Sequence, residues 1–232
     1  MVTHLMQGRV SRKEAPMWKK ISNKAVLFFV FVMILLPEIS LAFNDETRCQ
    51  MLKDAISLCP RNLKAHLTAH FQTVHQGIHF ADRNKQARDS IRVDDIKLSY
   101  DRIVAGLRQG KDNDFDTNHR FGLLACFVAE TISPSNFKTT TSLVPKKVVY
   151  DGYHKVAKVD VNVSHLIVKY RKPYSHSRNR QVTDYLYNVA LNQIVDHWIS
   201  AWQAGGKAPG LLVARGTNIS HASQVILLKG GG

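Results

Sequence analysis

Residues Phe121 to Ile132 read F-G-L-L-A-C-F-V-A-E-T-I. A helix that is apolar on every side belongs at the centre of a domain, with other elements packed around it. Ser133-Pro134-Ser135 ends the run. The rest of the chain offers helices to surround it. Asn44-Asp45-Glu46-Thr47 has the form of an N-cap with an acidic first turn. Met51, Leu52, Ala55, Ile56 and Leu58 then recur at helical spacing until Pro60. Leu63 to about Phe80 reads as a second helix and Val93 to Leu107 as a third. Gln109 to Asn118 reads as a loop. Tyr150 to Tyr170 has a helical pattern with many β-branched residues, and Pro173 to Arg180 reads as a loop. Thr183 to Trp202 carries the clearest stripe, with Leu186, Val189, Ala190, Ile194, Trp198 and Trp202 on one face, and Gly205-Gly206 to stop it. No alternation of strands and helices is present. The expectation is one all-α domain of five to seven helices over residues 43–204. A Gly-rich tail, 205–232, follows. Its two apolar runs, Leu211–Ala214 and Val225–Leu228, suit a small hairpin or a loose end.

The first 42 residues are expected to stand apart from that domain. Ala25 to Leu36 is an apolar run of 12 residues, shorter than the ~20 that span a bilayer. Lys19, Lys20 and Lys24 precede it, and Ser40-Leu41-Ala42 follows with small residues where a signal peptidase reads. This is the pattern of a secretory signal cut after Ala42, which leaves no stable membrane span. Met17-Trp18-Lys19-Lys20 also has the form of a signal's own start, with residues 1–16 as an extension. The expected destination is periplasmic or extracellular.

Charge narrows the partners. Of 32 Lys/Arg and 18 Asp/Glu, residues 1–42 hold six and two, leaving 26 and 16 and a net charge of +10. A basic exported chain is drawn to anionic surfaces or anionic substrates. In an oxidising compartment two of the three cysteines can bridge. Cys49 and Cys59 on one helix would lie about 15 Å apart, beyond the ~7 Å a disulfide tolerates, so any bridge should involve Cys126.

Four of the 11 histidines fall between Lys64 and Asp82. On a continuous helix, with His66 at zero, His70 lies near ~40°, His75 near ~180°, His79 near ~220° and Asp82 near ~160°. The four therefore split into two pairs on opposite faces. His75, His79 and Asp82 can converge on a metal with zinc-like preferences, or each can be an ordinary polar residue. Gly77 between them is a place where the helix could loosen. Farther on, Cys126 and Glu130 share one face of the apolar helix. A carboxylate there requires a partner. The pair serves either as metal ligands or as a core cysteine beside a glutamate salt-bridged to an arginine.

These residues resemble the zinc-dependent phospholipase C family and the related single-strand-specific nucleases. Cys126, Glu130 and Asn136, with Pro134, keep the spacing of that family's central ligand helix, with Cys, Glu and Asn where His, Asp and His are usual. Gly77 to Asp82 is similar to its metal-bridging aspartate segment. Phe43-Asn44-Asp45-Glu46-Thr47 resembles its aromatic first residue, whose amine and carbonyl bind a metal. Tyr150 to His154 looks like the start of its later ligand helix, although Lys158 stands where a glutamate is usual, and Arg48 stands near an expected His. The resemblance implies an all-α secreted hydrolase acting on an anionic phosphate ester. Zinc would be held by Phe43, His75, His79, Asp82, Cys126, Glu130 and His154, with Asp82 as the catalytic carboxylate. The alternative is a non-catalytic exported helical protein on the same scaffold that binds an anionic partner.

Overall fold

The computed structural model describes residues 43–79, 93–132, 144–171 and 180–221. Among them the chain is all-α: seven α-helices and one two-stranded sheet. The helices are α1 (Asp45–Leu58), α2 (Arg61–Ala69), α3 (Phe71–Ile78), α4 (Val93–Arg108), α5 (Phe115–Ile132), α6 (Val159–Leu166) and α7 (Arg180–Ala204). The expected signal segment, Asp82, Pro134, Asn136 and the run Val225–Leu228 all lie outside the described residues. No described helix is long and apolar enough to cross a membrane.

The apolar run is the centre, as its composition requires. Phe121 and Leu123 to Ala129 are all buried in α5, and α3, α4 and α7 pack against it. The Trp198 indole on α7 donates to the Phe121 carbonyl at 3.0 Å. Helix α5 starts at Phe115, so the second half of the expected loop 109–118 is helical. Asn118 is buried there, and its amide donates to the Asp112 and Asp114 carbonyls. Polar composition alone does not show that these side-chain bonds fold the segment back on itself.

Helix ends follow their chemistry. The Asn44 side chain caps α1 by accepting from the Thr47 N–H at 2.8 Å. At the end of α7 the Gly206 N–H bonds the Gln203 carbonyl and the Lys207 N–H bonds that of Trp202. Gly206 has φ +84°. This is the Schellman arrangement, in which a left-handed glycine satisfies carbonyls that a helix end leaves open.

Two sequence expectations are corrected. The histidine segment is not one helix. It breaks at His70 (φ −104°, ψ 20°) into α2 and α3. Gly77 does not loosen α3. It is the point where α3 crosses α5: a Cβ on Gly77 would fall on the His119 carbonyl oxygen, and one on Gly122 on that of Val74. Here the two backbones meet directly, and both positions require glycine for space rather than for torsional freedom. Residues 150–170 also differ from expectation. Lys147–Val149 form β1, irregular chain follows, α6 begins only at Val159, and a π-helical turn spans Ile167–Arg171. The β-branched residues are not the reason, since Val159, Val161 and Val163 lie within α6; the irregular part instead contains Gly152, at φ +97°. Strand β1 pairs antiparallel with β2 (Asn218–Ser220), Val148 opposite Ile219. The tail thus supplies a strand, though not from either of its apolar runs.

Candidate metal centre

The break at His70 separates the histidines physically. His66 and His70 stay on α2's side, their rings 4.8 Å apart. They bond the Asn118 and Asn113 side-chain oxygens at 2.9 and 3.1 Å. Burial, and next the nearby His70, hold the His66 pKa below its ordinary value. Helix α3 turns its buried face, Val74, Gly77 and Ile78, onto α5. The half-buried His75 and His79 lie on its other side, where they meet Cys49 of α1.

Cys49 Sγ lies 3.2 Å from His75 Nε2 and 3.2 Å from His79 Nε2, and the two nitrogens are 3.1 Å apart. Hydrogen bonds alone fit this triangle poorly. A thiol brings one hydrogen, and an Nε2 either donates or accepts but never both. Three short contacts therefore share at most two hydrogens, or else two N–H groups face one another. One cation bonded to all three atoms removes the conflict. Cys49, His75 and His79 would hold such an ion through one thiolate and two imidazole nitrogens, donors that a zinc-like ion takes together. His75 is in the last turn of α3 and His79 is its C-cap, the end of a helix that favours positive charge. The cluster can hold a metal ion.

The other expected ligands fall elsewhere. Cys126 and Glu130 face Arg48, one residue before Cys49. The guanidinium is buried, with Nη1 3.2 Å from Glu130 Oε1 and 3.9 Å from Cys126 Sγ. This is the salt-bridged arrangement, with Arg48 as the partner a carboxylate on this helix requires. Phe43 is buried with its ring edge-on to Tyr187 at 6.2 Å. His154 is exposed, its Nδ1 3.6 Å from Asp196 Oδ2 and 3.9 Å from Asp151 Oδ1. Of the expected set, then, the structure brings together His75 and His79, and it adds Cys49. None of the three cysteines forms a disulfide. Burial pushes the Cys59 thiol far up, which makes it an inert apolar group rather than a nucleophile.

These observations define a class: a helical protein with a Cys-His-His donor set between α1 and α3. The chain matches no protein-family model, no curated protein and no solved structure.

Proposed function

We propose that this chain is an exported zinc-binding protein whose ion is held by Cys49, His75 and His79. The carrying observation is the mutual 3.1–3.2 Å spacing of three donor atoms that one-to-one hydrogen bonds cannot all connect. Zinc suits the set because it takes thiolate and imidazole together.

A second reading is favoured by the number of donors. Cys49, His75 and His79 would leave a fourth position open on a zinc ion, and zinc held there would supply Lewis-acid activation of a water nucleophile. With the basic charge of the chain, that suits hydrolysis of an anionic phosphate ester, the activity implied by the phospholipase C-like pattern. Against it, Arg48 stands beside Glu130 where the pattern would place a second ion.

Metal analysis of the full chain, purified without chelator, tests the first reading. It should find about one zinc per chain, falling below about 0.2 in Cys49→Ser and in His75→Ala. Zinc at that low level in the wild type would sink the metal reading. Hydrolysis of a phosphodiester chromophore tests the second. It should be chelator-sensitive and lost in Asp82→Ala and Cys49→Ser. Equal background in all three proteins would leave a zinc-binding, non-catalytic protein.

A further inference from the structure

The segment Lys207–Arg215 leaves the end of α7 and runs along the outer face of α2. It is firmly held at both ends. The Asn62 N–H and side-chain amide donate to the Pro209 and Ala208 carbonyls, and the Trp202 indole donates to Ala208. Beyond the tip, the Thr217 N–H and hydroxyl bond the Ala214 carbonyl, and Gly216 bonds Tyr150. Gly210 and Gly216 bracket Leu211–Arg215 with left-handed torsions, φ +82° and +84°. Between these anchors Leu211 is 86% exposed and Leu212 43%. A braced loop that presents two adjacent leucines to solvent forgoes the burial that normally governs such residues.

The leucines form one wall of an open cleft of about 1000 Å³. The other wall is α2, where Arg61, Lys64, Ala65, Thr68 and Ala69 recur at helical spacing. Ala65 and Ala69 keep its floor free of long side chains. Among the described residues, the charged ones lining it are Arg61 and Lys64, both cationic and exposed. The Lys64 ammonium donates to a backbone carbonyl, Ser57 O, at 3.2 Å. Exposed Arg215 stands at the far end of the loop, while Lys207 at the near end is paired with Asp112 at 3.3 Å. Cys49, His75 and His79 do not line this cleft, so its chemistry is independent of any metal they hold.

We propose that the Leu211–Leu212 loop and the cationic rim of α2 form a docking surface for an anionic lipid bilayer. The leucines enter the acyl boundary while Arg61, Lys64 and Arg215 meet headgroup phosphates. Charge complementarity selects this occupant. Exposed leucines facing Arg61 and Lys64 across the cleft match the apolar–anionic layering of a membrane surface. A second copy of a chain whose residues 43–232 carry 26 basic and 16 acidic side chains would bring further positive charge to a cationic rim. A nucleic acid would leave the leucines in water.

Sedimentation of the full chain with vesicles of phosphatidylcholine and phosphatidylglycerol (7:3) tests the surface. Leu211→Ser/Leu212→Ser should bind about tenfold or more weakly than wild type. Arg61→Gln/Lys64→Gln should lose about tenfold on these vesicles and nothing on pure phosphatidylcholine. The apolar stretch Ala25–Leu36 is common to all variants, so a local readout is needed. In Leu211→Trp the added emission should be quenched by brominated lipid. Unquenched emission from the Leu211→Trp indole while the protein is vesicle-bound would overturn the proposal. A concentration-dependent dimer without vesicles, abolished by the serine variant, would assign the surface to self-association instead.

Discussion

Two neighbours on α7, Asp196 and His197, should give the protein an unusual dependence of stability on pH. Both are buried, and burial drives them in opposite directions. Desolvation raises the Asp196 carboxyl to about 8, against a bond from the His154 N–H that favours its anion. Desolvation lowers His197 to about 4, its Nδ1 bonded to the Gln193 carbonyl. Between pH 4 and 6.5 the folded chain holds one more proton at Asp196 than the unfolded chain and one fewer at His197. The two slopes, each about 1.4 kcal/mol per pH unit, oppose one another. Above pH 6.5 unfolded histidine is already neutral and only the Asp196 slope remains. Stability should therefore fall by about 2 kcal/mol between pH 6.5 and 9 as that carboxyl is forced to ionise. Asp196→Asn keeps the shape and stays neutral. Urea midpoints of wild type and Asp196→Asn at pH 5, 6.5, 8 and 9 give the difference directly. The variant should gain on wild type by about 2 kcal/mol across the upper interval. A difference that stays constant with pH would refute the claim that burial keeps this carboxyl protonated. His197→Asn completes the test, because it should remove the acid-side loss and let stability rise from pH 6.5 down to 4.

Other perturbations have defined outcomes. Arg48→Met strands Glu130 beside an apolar helix and should cost about 3 kcal/mol in chemical denaturation, while adding Glu130→Gln should recover much of it; an unchanged midpoint in the single variant would dismiss the ion pair as a structural element. Gly122→Ala forces α3 from α5 at their backbone crossing and should lower stability by about 1–3 kcal/mol, and it should weaken metal binding at the proposed site because His75 and His79 ride on α3. Wild-type melting and zinc affinity in that variant would show the crossing to be slack. Asn44→Ala removes the cap of α1 and should cost about 1 kcal/mol, read from the thermal midpoint.

Much of the helical architecture is legible because burial writes itself into sequence at a period of 3.6 residues. Phe121–Ile132 is legible instead by being apolar on every side, but the stripe of Thr183–Trp202 needs nothing more than that period. The split of the histidines into two pairs is legible for the same reason, although the chain achieves it with a break at His70 rather than by winding alone. Cys49 is not legible as a member of the cluster with His75 and His79. Its place on the first helix bears only on disulfide pairing, and its partners lie 26 and 30 residues away on another helix. The available signal is an odd cysteine in a chain that also carries a His-x-x-x-His pair. Arg48 is visible as a departure from the metal-ligand pattern, and Glu130 as a carboxylate needing a partner. Nothing local in the sequence ties the two together across 82 positions. Strand β1 is hidden because three residues carry almost no periodic signal.

That strand has a neighbour on each side, and only one is a strand. Towards β2 the pairing is backbone to backbone. On the other edge α7 takes the place of a third strand. The Val149 N–H donates to the Asn188 side chain at 2.8 Å, the Asn192 amide donates back to the Val149 carbonyl at 3.0 Å, and the Asp151 N–H donates to Asn192 at 3.0 Å. Asn188 and Asn192 sit one helical turn apart, so their amides can follow the rise of an extended chain. An unpaired strand edge is a template on which other chains can add. Here two asparagines close it, and substituting either by an apolar residue would reopen a growth point for aggregation within an otherwise helical protein.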